Sequence, residues 1–325
     1  MRARGAVRPA NYWNMLRRVT AGVRSTRRAR AGTAVTREFD RLGRWLGRRQ
    51  FMRRHFAAGL QQWLNPISVV RYFEFDFCAR QMPPAPQRVL DVSSPRLFAL
   101  GLARALPDTQ FVLANPDSTD LDGTREMVKA LRLTNVELQN ATVDKLVASH
   151  RRAFDFVTCI SVIEHIAGAY DDREAMEMLV DLPAPGGTLA LTLPLSKSKV
   201  HEEEYYPAGV NPYPGTHQVA NADGRYFFQR LYSQESIETR LLGRIHAGDV
   251  ALEWWGEREL DAYERYRRGP LYGWGADALF FHEQCRRFDD YVALPGMGVC
   301  GIVVRLPAGS AAPGPASMPG HPHRT

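Results

Sequence analysis

Cysteine is scarce: the 325 residues hold only Cys78, Cys159, Cys285 and Cys300, with no C-x-x-C pair among them. That spacing indicates neither a disulfide framework nor a cysteine-rich zinc site, and it suits a reducing compartment. No apolar run approaches the roughly 18 residues needed to span a bilayer, and no compact apolar core with a small-residue cleavage site opens the chain. Cytoplasmic residence, extending to the periphery of the inner membrane, is the expectation. No predicted strand runs into G-x-G-x-x-G and no P-loop is present, which disfavours nicotinamide dehydrogenases and phosphate-loop enzymes. Internal repeats are absent.

Positive charge, by contrast, is concentrated at one end. Residues 1–54 carry sixteen arginines against Glu38 and Asp40, whereas the whole chain is only +7. The rest of the chain is therefore acidic. A guanidinium offers a planar fork of donors, so residues 1–35 read as a basic, flexible arm. It is either a solvated tail or a contact for phosphate, of an anionic membrane surface rather than of nucleic acid.

From Arg37 to Leu64 apolar residues recur at helical spacing (Phe39, Leu42, Trp45, Leu46, Phe51, Phe56, Leu60, Trp63, Leu64), with arginines between them. One or two amphipathic helices follow, their apolar face packing on a neighbouring domain. They place a helical extension over 36–84, ended by the Pro-rich MPPAP. Beyond it, short apolar runs alternate with helical patterns: 88–93, 110–115, 135–140, 154–160 and 187–195 are the strands, and 124–133 and 171–182 are helical. Such alternation predicts a parallel sheet built from right-handed crossovers, with helices on both faces. The runs at 249–255 and 298–306 suit a terminal strand pair. The Pro- and Gly-rich stretch 307–325 has almost nothing to bury and reads as disordered.

This order of segments resembles the class I, Rossmann-like S-adenosylmethionine-dependent methyltransferases over residues 85–306. FDFVTCISVIEHI (154–166) is similar to that family's fourth strand opening into an E-H-I helix start, and LPAPGGTLALTLPL (182–195) to its turn and fifth strand. In that turn Gly186 and Gly187 permit positive φ. The resemblance implies an α/β fold with a seven-stranded, mostly parallel sheet, S-adenosylmethionine as cofactor, and substrate-side insertions at 196–235 and 256–296. Polar NPPY-type motifs of nucleic-acid amine methylation are missing after the fourth strand.

The cofactor-binding residues implied by the resemblance are Asp91, Ser93, Ser94, Asn115, Asp117, Asn140, Ala141, Ile160 and Ser161. The first loop, DVSSPRL (91–97), departs from the family: Ser93, Pro95 and Leu97 stand where three glycines are usual. Ser94 as N-cap and Pro95 at the first helical position would still start a helix there. Asn115 and Asn140 replace acids expected to meet the ribose and the adenine. His165, Glu164 and His201 are the candidate catalytic residues. The histidines are bases for a hydroxyl acceptor because imidazole titrates near neutrality. His201 sits in KSKVHEEEYYP (197–207), where Glu202, Glu203, Glu204, Tyr205 and Tyr206 add acids and aromatic walls. No spacing selects a metal site. The reading is a methyltransferase acting on a small-molecule, lipid or cell-envelope sugar acceptor; the alternative is a catalytically silent methyltransferase-like binding module.

Overall fold

The structure, a computed structural model, describes Thr20 and residues 33–53, 56–197, 203–211, 219–246, 248–269, 272 and 276–309. His201 and Glu202 lie outside the described residues, as do most of the basic arm and the tail beyond 309.

Two amphipathic helices form as the apolar spacing predicts, α1 (Ala34–Met52) and α2 (Phe56–Leu64). Thr33 caps α1, its hydroxyl accepting from the Thr36 amide at 3.2 Å. The helices meet backbone to backbone at Gly47 and Gly59: a Cβ added at Gly59 would lie 2.3 Å from the Phe51 nitrogen. Phe39, Leu42 and Leu46 are buried, whereas Trp45, Met52, Phe56 and Trp63 remain exposed. A third helix, α3 (Arg71–Gln81), ends at Met82 just before the prolines.

Eight strands form one sheet in the order β3-β2-β1-β4-β5-β10-β8-β9. Five are parallel neighbours: β1 (Arg88–Val92), β2 (Gln110–Ala114), β3 (Val136–Gln139), β4 (Phe154–Ile160) and β5 (Pro183–Ser196). They match the five apolar runs, because each such run can be buried on both faces of a parallel sheet. A small hairpin, β6 (Glu203–Tyr206) with β7 (Tyr226–Arg230), lies apart from the sheet order. The terminal pair is β8 (Asp249–Glu257) and β10 (Met297–Arg305), antiparallel to each other, with β10 inserted against β5.

The expected count of seven strands is corrected to eight. Cys285–Phe288, within the stretch expected as an insertion, becomes β9 and pairs antiparallel with the outer edge of β8. CRRF is too short and too polar to show a strand period, and only the open edge of β8 gives it partners.

Helices cover both faces. On one, α1 and α3 share a continuous apolar core with α4 (Arg96–Ala105), and α5 (Ser118–Leu131) packs at its margin. On the other lie α6 (Val143–His150), α7 (Asp172–Val180) and the helical turns 234–244. The short helices α8 (Ala262–Arg267) and α9 (Asp277–Gln284) precede β9. Gly186 adopts φ +77 in the turn inside β5; Gly187 is not among the positive-φ residues, and its constraint is steric, since a Cβ there would lie 2.8 Å from the Phe154 carbonyl oxygen. Among the described residues no helix is long and apolar enough to cross a membrane.

The strand order reverses between β1 and β4. In open α/β sheets ligands bind outside the carboxyl ends of the strands at this switch point, and the candidate site is built there.

Candidate functional site

The first loop keeps its turn without glycine. Ser93 adopts φ +52, and its amide and hydroxyl both donate to the Ala114 carbonyl, at 2.8 and 3.2 Å. Ser94 does not cap the following helix, which corrects the sequence reading: α4 starts at Arg96 with Pro95 at the cap position and no side-chain cap. The Ser94 hydroxyl is turned inward and accepts from the Ile160 amide at 2.9 Å, which ties the β1 loop to the end of β4. That buried amide would otherwise lack a partner.

Asp91 is buried. Its carboxylate accepts from the Ser94 amide at 3.2 Å and the Thr158 hydroxyl at 2.8 Å. Burial pushes its pKa up to about 6, and the two donors oppose that rise.

The asparagines at the ends of β2 and β3 hold a loop. Asn115 accepts from the Asp117 amide at 2.8 Å and donates to Asp120 at 2.9 Å. Asn140 donates to the carbonyls of Asn115 and Pro116, both at 3.0 Å. Asp117 caps α5, accepting from the Thr119 and Asp120 amides. Asp120 is also ion-paired with Arg96. The structure thus brings Asn115, Asp117 and Asn140 together, with their side chains bonded to the backbone of this loop and to Asp120.

A separate cavity of about 360 Å³ opens at the ends of β4 and β5 beside β8 and β10. Of the predicted residues, Ser161, Glu164 and His165 line it. Asp91, Ser93, Ser94, Asn115, Asp117, Asn140, Ala141 and Ile160 do not. The E-H-I stretch is a single tight turn, Ile163–His165, rather than the start of the next helix. That helix, α7, begins at Asp172 behind a reciprocal cap between Asp171 and Glu174.

Glu164 is 2% exposed. Burial raises its pKa to about 8, aided by the charge of Glu74, so the carboxyl is largely protonated at neutral pH. Among the described residues its Oε2 has no hydrogen-bond partner. His165 directs Nδ1 at the Phe228 carbonyl, 2.6 Å away. A carbonyl only accepts, so Nδ1 carries the proton and Nε2 the lone pair. Burial lowers the His165 pKa, which keeps the ring neutral at pH 7.

Several wall residues were not singled out by the sequence reading. Arg71 and Glu74 come from α3, and Trp255 and Phe281 from β8 and α9. Glu74 is fully buried and ion-paired with Arg71. A carboxylate inside the aromatic run RYFEFDF was the one available signal, because a buried acid needs built partners.

No family model matches the chain. Among curated proteins it is similar to a ubiquinone biosynthesis O-methyltransferase of Xanthomonas axonopodis pv. citri, 26% identical over 149 residues, or 42% of this chain and 58% of that one. The counterpart from Xanthomonas campestris pv. campestris is 27% identical over 149 residues, with the same shares. The chain therefore spans 58% of the length of these curated relatives. A solved coclaurine N-methyltransferase, bound to N-methylheliamine and SAH, aligns with a TM-score of 0.47 at 12% identity, covering 74% of this chain and 77% of that chain. With five parallel strands ordered around a β1/β4 switch point and an antiparallel strand inserted beside β5, the chain carries the Rossmann-like fold of the class I S-adenosylmethionine-dependent methyltransferases.

Proposed function

We propose that the chain transfers a methyl group from S-adenosylmethionine to a hydroxyl on a small molecule. The observation that carries this reading is that Ser161, Glu164 and His165, all from the stretch after β4, border one cavity beside the switch point. The similarity to O-methyltransferases over 149 residues supports it.

The residues on the β1 to β3 side fit an adenosyl donor. Ser93 keeps the tight turn through its left-handed conformation. Asp117 presents a half-buried carboxylate just beyond β2, suited to a ribose diol. Asn115 and Asn140 act by holding the loop that carries Asp117. When bound, the donor supplies a sulfonium methyl open to in-line displacement, so the chain's main task is to hold the two reactants in attack geometry. His165, neutral and with its lone pair on Nε2, is the base that takes the hydroxyl proton.

One observation favours the silent binding module instead: Asp91 is already bonded within the protein by Ser94 and Thr158. Calorimetric titration with S-adenosylmethionine and S-adenosylhomocysteine separates the two. Saturable binding, weakened about tenfold in Asp117→Asn, supports the enzyme; asparagine caps a helix as well as aspartate, so that variant removes the charge and keeps the fold. No heat up to millimolar ligand would sink it.

A further inference from the structure

Two buried polar atoms at this cavity lack hydrogen-bond partners among the described residues: Glu164 Oε2 and Trp255 Nε1. Both residues line the cavity, Glu164 from the turn after β4 and Trp255 from β8. Leaving such atoms unpaired costs about 1–3 kcal/mol each, so a pair of them at one cavity marks groups awaiting a ligand.

We propose that Trp255 and Glu164 form a recognition pair for the hydroxyl of a flat, uncharged aromatic alcohol. The inference rests on the reading of this cavity as the acceptor site and names its substrate class.

The shape of the walls argues for a ring. Trp255 is stacked on Phe73, with centroids 5.1 Å apart, and on Phe281, at 5.4 Å and an interplanar angle of 13°. This packing fixes the indole plane and with it the direction of the Nε1–H. Phe228 and Tyr263 add further aromatic surface. A volume of about 360 Å³ is at the low end for ligand pockets and suits a molecule of one or two fused rings.

The polar groups argue for a hydroxyl. Trp255 can only donate, whereas a carboxyl oxygen can accept. A hydroxyl answers both in the resting complex, accepting from the indole and donating to Glu164. Glu164 Oε1 lies 3.8 Å from His165 Nε2, so the one hydroxyl proton turns from Glu164 to His165 when transfer begins. An ammonium would leave the indole N–H unpaired. A carboxylate would bring a second anion beside Glu74 and Glu257, which also line the cavity. The charge of the Arg71 guanidinium is already balanced by Glu74.

The probes are 2-naphthol, naphthalene, 2-naphthoate and 2-naphthylmethylammonium, titrated into the full-length protein by calorimetry without methyl donor. The indole N–H resonances of ¹⁵N-tryptophan-labelled protein are followed in parallel. Expected are about tenfold tighter binding of 2-naphthol than of naphthalene, as for one or two well-made hydrogen bonds, and a shift of the Trp255 resonance on adding 2-naphthol. Trp255→Phe should erase the advantage of the hydroxyl and retain naphthalene binding, which shows that the variant is folded. Equal binding of naphthol and naphthalene, preference for either ion, or an unmoved Trp255 resonance overturns the proposal. Since no methyl donor is present, these outcomes stand apart from the donor titration: naphthol can bind where the methyltransferase reading fails, and the reverse.

Discussion

Ser161, the first residue after β4, donates its hydroxyl to Glu74 of α3 at 2.5 Å across 87 positions of sequence. Ser161 has φ +50, a conformation uncommon for a residue with a side chain. Its amide is held by the Thr192 carbonyl at 3.0 Å, and Thr192 donates its own hydroxyl to the same Glu74 oxygen. An acid from the N-terminal extension thus fixes the backbone from which Glu164 and His165 enter the cavity.

Glu74→Ala removes the acceptor for two hydroxyls and leaves Arg71 without its buried partner. Breaking a buried pair from one side costs about 3–5 kcal/mol. Glu74→Gln keeps one carbonyl acceptor and should cost about 1–3 kcal/mol. Urea unfolding at neutral pH gives both values, and equal losses would show that the carboxylate charge, not its acceptor oxygen, holds the loop.

Stability should fall as pH rises from about 7 to 8.5, and Glu164 is the cause. Burial raises its carboxyl pKa to about 8, so the folded state binds this proton more tightly than the unfolded chain. The gain is complete below the ordinary glutamate range and is lost as pH rises through 8. Asp91, raised to about 6, has lost its share by then. His165 is shifted down by burial, so its contribution grows with pH, but only below the ordinary histidine value of 6.5. Thermal unfolding of Glu164→Gln should show a flatter dependence in this window. Parallel curves for variant and wild type would remove Glu164 as the cause.

Asn115→Asp restores the acid that the family resemblance leads one to expect, and it should destabilise. The Asn115 amide group donates to Asp120 at 2.9 Å, so a carboxylate there would face another carboxylate. The pair is half-exposed and Arg96 lies beside Asp120, so the cost is about 1 kcal/mol at neutral pH and low salt. Unfolding at pH 7 should show the loss, and it should shrink near pH 4 as the two acids share a proton. Unchanged stability at pH 7 would argue against the contact.

Gly59→Ala sets helix propensity against space. Alanine is favoured over glycine by about 1 kcal/mol in a helix interior, yet its Cβ would lie 2.3 Å from the Phe51 nitrogen and 2.8 Å from the Gly47 carbonyl oxygen. Those atoms are backbone and cannot swing aside, so the clash wins and α1 and α2 must separate. A drop in melting temperature with altered tryptophan fluorescence, from Trp45 and Trp63, is expected; a rise would mean that the helices are spaced more loosely.

The sheet was largely legible because its signal is local. Five apolar runs of strand length, each separated by a helical pattern, leave few alternatives to a parallel, right-handed arrangement, and Gly186 and the FDFVTCISVIEHI stretch mark the fourth and fifth strands by residue type alone. The same locality explains the misreadings. Ser94 has the chemistry of an N-cap, but a hydroxyl goes to whichever buried donor most needs it, and Ile160 is 66 positions away. The role of Asn115 depends on Asp120 and Asn140, and β9 exists only because β8 offers an edge.

By itself, the sequence determined the five parallel strands, the helical extension and the residues that follow β4, because periodicity and turn chemistry act within a dozen positions. The tertiary structure decided which polar groups are already satisfied and which are left over. Glu74 is bonded to Ser161 and Thr192, whereas Glu164 Oε2 and Trp255 Nε1 have no partner among the described residues at one cavity. Hydrogen bonds between buried groups are set by distance in space, and no spacing along the chain encodes that distance.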